Sequence, residues 1–131
     1  MNSNPRVVID ASCVLNYLVP DEEDDFIDQI FEDYKNGEIS FISTDFLLFE
    51  VLNGLKMVVK RGRITENLGK KLVKNFLKFD IEFRHDLALN KIFSLAMKED
   101  LTFYDAAYLY LSVDEDLPLL TLDKKLQKLT K

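Results

Sequence analysis

Arg6-Val7-Val8-Ile9-Asp10-Ala11-Ser12 is the stretch that decides the fold: a short β-branched run stops at a carboxylate and gives way to small residues. Three aliphatic side chains in succession leave no polar face. Val7–Ile9 therefore reads as a strand covered on both sides, the habit of parallel sheets. Further apolar runs at Ile39–Ile42, Ile81–Phe83 and Leu119–Leu122 read the same way, and helical patterns fill the intervals. Asp24–Tyr34 puts Phe26, Ile27, Ile30, Phe31 and Tyr34 on one face, with acids in its first turn and Asn36-Gly37 as its stop. Thr44 is expected to cap a helix through Phe46–Val59, with Asp45 in its first turn. Thr65 opens a third, with Leu68, Leu72 and Phe76 in one stripe and Lys70, Lys74 and Lys78 in another. A fourth covers Asp86–Lys98, and a fifth, almost wholly apolar, starts at Thr102. Strands alternating with helices predict an α/β fold with a short parallel sheet of four to five strands flanked by helices. The long helical stretch between strands two and three predicts an inserted helical pair.

The chain has 131 residues, read as a single domain over 1–131, and 47% of them are apolar. A domain of this size buries enough surface to fold without disulfides or a structural metal. One cysteine, Cys13, excludes a disulfide framework and fits a reducing compartment. No apolar run is long enough to span a membrane and no secretory signal opens the chain, so a cytoplasmic protein is expected. The single histidine, His85, excludes a ribonuclease built on a His pair and a His-rich or Cys/His zinc site. His85 itself reads as a surface or capping residue. Cys13 reads as a small core residue, and Tyr104, Tyr108 and Tyr110, on so apolar a helix, read as core. Gly62 and Gly69-Lys70-Lys71 do not make a phosphate loop: their spacing is too long and no Ser or Thr follows the lysine.

The net charge of −6 would at first disfavour a nucleic-acid partner, but it is segmented. Residues 1–50 carry −10, residues 51–78 carry +7, residues 79–123 carry −7 and residues 124–131 carry +4. The basic segment Lys56–Lys78 is a candidate surface for a phosphate backbone, against the plainer reading of a solvated helix face.

Four of the 23 acids stand among residues that want to be buried. Asp10 ends the first apolar run, and Glu50 lies inside Phe46-Leu47-Leu48-Phe49-Glu50-Val51-Leu52. Asp105 lies in Leu101-Thr102-Phe103-Tyr104-Asp105-Ala106-Ala107-Tyr108, and Asp123 follows Leu119-Leu120-Thr121-Leu122. Each has a structural reading. Asp10 and Asp123 can cap following helices, Thr102 and Asp105 fit a capping box, and Glu50 can pair with Lys56 or an arginine. Together they have another reading, because ligands of open parallel sheets bind beyond the strands' C-terminal ends. Two carboxylates about 4 Å apart repel by about 4 kcal/mol at an effective dielectric of about 20, so several need protonation or a cation. An all-oxygen set without His or Cys selects Mg²⁺ or Mn²⁺ over zinc. Such an ion can activate water and clamp the oxygens of a phosphodiester.

These four segments, in this order, resemble the PIN-domain family, and within it the small VapC-like toxin ribonucleases of prokaryotic toxin–antitoxin pairs. The resemblance covers essentially the whole chain. It implies a PIN-like three-layer fold and a Mg²⁺- or Mn²⁺-dependent endoribonuclease. Asp10, Glu50, Asp105 and Asp123 would then be the acidic quartet, catalytic and metal-binding. Ser12 matches the small hydroxyl residue that supports the first aspartate. Thr102 and Thr121 match supporting hydroxyl positions, and Asn53 matches a polar residue one turn after the glutamate. It further implies an RNA substrate, a cognate antitoxin protein and a homodimer. A catalytically silent PIN-like binding module and a stand-alone RNA-processing nuclease are the alternatives. A phosphoacceptor domain is disfavoured, since neither mid-chain apolar run ends in Asp.

Overall fold

The computed structural model describes residues 4–130; Met1–Ser3 and Lys131, the last of the C-terminal lysines, lie outside the described residues. In chain order the elements are β1 (Arg6–Ile9), α1 (Ala11–Leu18), α2 (Asp25–Lys35), β2 (Ser40–Thr44), α3 (Phe46–Lys60) and α4 (Glu66–Leu77). They continue with β3 (Ile81–Arg84), α5 (Leu89–Glu99), α6 (Phe103–Glu115), β4 (Leu119–Leu120) and α7 (Lys124–Leu129). The four strands form one parallel sheet in the order β3-β2-β1-β4, with Val8 opposite Ile42 on one side and Leu119 on the other.

The strand period of two divides the core between two faces. Ile9 and Phe41 face a layer from α1 to α4, where Val14, Phe31, Leu47, Val51, Leu55, Leu72 and Phe76 are buried. Val8 and Ile42 face the opposite way, against Leu111 of α6. Ile92 and Ala96 of α5 pack with Ala106 and Ala107 of α6 to complete that third layer. The three-layer α/β expectation holds, and so does the helical pair α3–α4 inserted between β2 and β3. One close approach matters for the site. A Cβ at Gly54 would lie 2.4 Å from Leu15 Cδ1, so glycine lets α3 press against α1 one turn beyond Glu50.

Two helix starts differ from the sequence reading. Thr44 does not cap α3: β2 pairs with β3 as far as Thr44 opposite Arg84, so the ladder takes the residue that a cap needed. Its buried Oγ1 has no hydrogen-bond partner among the described residues, and Asp45 stands at the N-cap without a side-chain cap bond there. An acid therefore does follow the mid-chain strand. It is bound to His85, whose Nδ1 is 2.7 Å from Asp45 Oδ1. The helix expected from Asp86 begins at Leu89, because Asp86 turns back to Arg84 Nε at 2.8 Å. Thr65 caps α4 as expected, accepting from the Leu68 amide. Cys13 is fully buried, and burial pushes its thiol well above the ordinary range, so it is an inert core residue.

Candidate active site

Sheet order reverses at β1. The chain passes from β1 to β2 across one face, and from β3 to β4 across the other. The C-terminal end between β1 and β4 is thus the switch point where open α/β sheets hold their ligands. Asp10 follows β1 there, and Thr121 and Asp123 follow β4.

Asp10 is 3% exposed and caps α1. Its Oδ1 accepts from Ser12 Oγ at 2.6 Å and from the Cys13 amide at 3.2 Å, and its Oδ2 accepts from Thr121 Oγ1 at 2.5 Å. Both hydroxyls are themselves acceptors. The Leu122 amide donates to Ser12 Oγ at 3.0 Å, and the Asp123 amide donates to Thr121 Oγ1 at 3.0 Å. With the amides occupying one lone pair of each hydroxyl, and an ionised carboxylate able only to accept, each hydroxyl directs its own proton at Asp10. Two relays thus run from the loop after β4 through a hydroxyl to Asp10, fixing Asp10 as an acceptor and tethering the segment that carries Asp123. Burial pushes the Asp10 carboxyl above the ordinary range, against these hydrogen bonds, which pull it down.

Glu50 sits in the second turn of α3 and forms no ion pair among the described residues. Tyr108, 1% exposed, donates its hydroxyl to Glu50 Oε1 at 2.6 Å. Burial raises the Glu50 carboxyl, and the charges of Asp105 and Asp10 raise it further. Asp105 lies in the first turn of α6, whose cap Thr102 accepts from the Asp105 amide at 3.1 Å. Burial raises its carboxyl too, followed by the charges of Asp123 and Asp10. Asp123 caps α7, accepting from the Leu126 amide at 2.9 Å. The capping readings of Asp10, Asp123 and Thr102 are correct, and they are compatible with a shared site. Each cap places its acid at a helix N-terminus, on the same edge of the sheet.

The charges of Asp105 and Asp10 act on Glu50, and those of Asp123 and Asp10 act on Asp105, so the four acids are linked electrostatically. No Lys or Arg pairs with any of them among the described residues; the ion pairs lie elsewhere, as in Arg63 with Asp21 and Glu22, or Arg84 with Glu115. The donor set fits a hard divalent cation: it is all oxygen, half-buried or deeper for Asp10, Glu50 and Asp105, and lacks a counter-charge. It is an open set. Among the described residues no three His, Cys, Asp or Glu side chains stand together closely enough to enclose an ion. Each acid is turned to a donor: Asp10 to Ser12 and Thr121, Glu50 to Tyr108, Asp105 to the Thr102 hydroxyl and Asp123 to the Leu126 amide. Asn53 is exposed on α3. Tyr108 is the participant that the sequence did not mark. Its signal was its place three residues after Asp105, on the same face of α6.

A parallel sheet of this order, flanked by helices on both faces, defines a three-layer α/β protein, and comparison with known proteins gives the family. The model of the PIN domain matches residues 7–131, and the chain belongs to that family. Among curated proteins it is similar to Ribonuclease VapC3 of Pyrobaculum aerophilum, 29% identical over 124 residues that cover 92% of each chain. Among solved structures it resembles PAE2754 of Pyrobaculum aerophilum, with a TM-score of 0.75 and 22% identity over 100% of this chain and 89% of that one. It also resembles VapC20 of Mycobacterium tuberculosis, a Sarcin-Ricin loop cleaving toxin, with a TM-score of 0.66 and 11% identity over 94% of each chain. VapBC2 of Rickettsia felis, bound to a DNA fragment from its promoter, matches with a TM-score of 0.63 and 13% identity over 94% of this chain and 92% of that one. Among the described residues no helix is long and apolar enough to cross a membrane.

Proposed function

We propose that the protein is a Mg²⁺- or Mn²⁺-dependent endoribonuclease, the toxin of a type II toxin–antitoxin pair acting in the cytoplasm. Asp10, Glu50, Asp105 and Asp123 would hold the ion. What supports this reading is the mutual electrostatic influence of these carboxylates, none of them paired with a Lys or Arg among the described residues, in a PIN domain. When bound, the ion supplies an activated water and charge neutralisation on the phosphodiester.

The chain's own residues do the rest. Ser12 and Thr121 keep Asp10 an acceptor and leave one lone pair of Oδ2 unused among the described contacts. Tyr108 fixes Glu50. The N-termini of α1, α6 and α7 offset part of the accumulated negative charge. The exposed lysines Lys70, Lys71, Lys74 and Lys78 on and just beyond α4 are the proposed contact to RNA phosphates. An antitoxin partner is supported by the likeness to VapC3 and VapBC2. A homodimer is supported by the row Leu89, Phe93 and Met97 on α5, which are 56%, 61% and 70% exposed.

The test is cleavage of single-stranded RNA with Mg²⁺ or Mn²⁺, with chelator, and with Asp10→Asn or Asp105→Asn. The expected result is cleavage that leaves a 5′-phosphate and a 3′-hydroxyl, and that chelator or either substitution abolishes. Cleavage surviving both would refute the assignment.

A further inference from the structure

We propose that Phe49 and Tyr104 form a stacking platform for an unpaired base of the RNA, beside the scissile phosphate. The inference rests on the nuclease reading and specifies how that site holds its substrate. Large aromatic rings are ordinarily covered, yet Phe49 is 73% exposed and Tyr104 48%. Each directly precedes a candidate ligand, Glu50 on α3 and Asp105 on α6, close to the N-terminus of its helix. Phe46 lies one turn before Phe49 on α3, and it meets Tyr104 edge-on with ring centroids 5.6 Å apart and planes at 77°. Phe46 also meets Phe103 edge-on at 5.7 Å, so the Tyr104 ring stands against a packed brace. A ring already held in place loses little freedom when a base lies on it.

Charge identifies the occupant. Neither residues 36–55 nor residues 99–123 contain a Lys or Arg, and these segments carry Glu50, Asp105, Asp123 and both exposed rings. These segments themselves offer a flanking phosphate acids rather than cations; the lysine seen to reach them, Lys125, is turned to the Asp100 carbonyl at 2.7 Å. The neutral rings offer a base a surface that the acids do not repel, and stacking of this kind accepts any base. Two rings of about 150–250 Å² each also fall short of the roughly 800 Å² per partner of a stable protein interface.

The experiment uses a short single-stranded oligoribonucleotide carrying 2-aminopurine, titrated with the full chain in Mg²⁺ while its cleavage is followed. Wild type is compared with Phe49→Leu, Tyr104→Leu, Phe49→Tyr and Tyr104→Phe, with thermal midpoint and sedimentation measured on each. The Leu variants should fold and keep the wild-type oligomeric state, since both positions are exposed. They should bind about tenfold more weakly, by loss of stacking, with KM raised and kcat within a few-fold of wild type. Aromatic replacements should restore binding and the 2-aminopurine signal. A fully paired duplex of the same sequence should compete poorly. Leu variants that bind and cleave as wild type does would overturn the platform while leaving the nuclease intact. Weakened binding that follows a loss of self-association would overturn it too, assigning the rings to a second copy. Aromatic-dependent binding by a wild-type protein that cleaves nothing would support the platform and refute the nuclease reading.

Discussion

Thr121→Val removes one hydroxyl at 5% exposure and should cost far more than a surface substitution. The hydroxyl donates to Asp10 Oδ2 at 2.5 Å and accepts from the Asp123 amide at 3.0 Å, so the change breaks two hydrogen bonds at once. A hydrogen bond to a charged group contributes about 1.5–3 kcal/mol, and an amide left without an acceptor costs about 1 kcal/mol more. Valine fills nearly the same volume, so cavity formation adds little. The expected loss is about 2–4 kcal/mol, read by urea unfolding of the chelated protein at neutral pH. In an Asp10→Asn background the same substitution should cost about 1–2 kcal/mol less, because the ionic acceptor has gone. Activity should fall in kcat with little change in KM, since the loop bearing Asp123 loses its tether. A loss below about 0.5 kcal/mol, or strictly additive effects, would refute the relay.

Three shorter predictions follow from the same geometry. Asp10, Glu50 and Asp105 all have carboxyls raised by the fold, so the native state holds their protons more tightly than the unfolded chain. Their stabilising contribution is complete below the unfolded values and is lost as pH rises through the raised native ones. The metal-free protein should therefore melt at a higher temperature in mildly acidic buffer than at neutral pH, with Mg²⁺ closing the gap; a flat profile would count against the cluster. Tyr108→Phe removes the donor to Glu50 and should cost about 1–3 kcal/mol of stability in urea unfolding, with RNA cleavage reduced about tenfold. Unchanged cleavage would make Tyr108 a packing residue alone. Phe93→Glu with Met97→Glu should convert a dimer to a monomer in analytical ultracentrifugation; an unchanged sedimentation coefficient would remove α5 from the interface.

The sequence carried the architecture because short, largely apolar runs alternate with helical patterns, and the central runs Val7–Ile9 and Phe41–Ile42 are mostly buried. Val7–Ile9, Ile81–Phe83 and the start of β4 fall within a residue of the observed strands. The error at Thr44 has a physical source. A threonine before a helix satisfies either a cap or a ladder, and only the non-local pairing with Arg84 decides between them. The candidate site was legible only as four carboxylates set among apolar side chains. Capping and ligation looked like rival explanations in one dimension; in three dimensions the caps are what bring Asp10, Asp105 and Asp123 to one edge. The Tyr108 hydroxyl was hidden because a tyrosine among Ala106, Ala107 and Leu109 looks like any core aromatic. Its partner lies 58 residues away on another helix. The exposure of Phe49 and Tyr104 was equally out of reach, since hydropathy assigns such rings to the interior.

If Asp10, Glu50, Asp105 and Asp123 form a divalent-cation site, Mn²⁺ binding reads it without any RNA. Free Mn²⁺, followed by electron paramagnetic resonance during titration of the wild-type protein, should fall in a saturable manner that Mg²⁺ reverses by competition. Asp105→Asn and Glu50→Gln should fold and bind Mn²⁺ far more weakly. Binding isotherms that coincide for wild type and both variants would contradict the account.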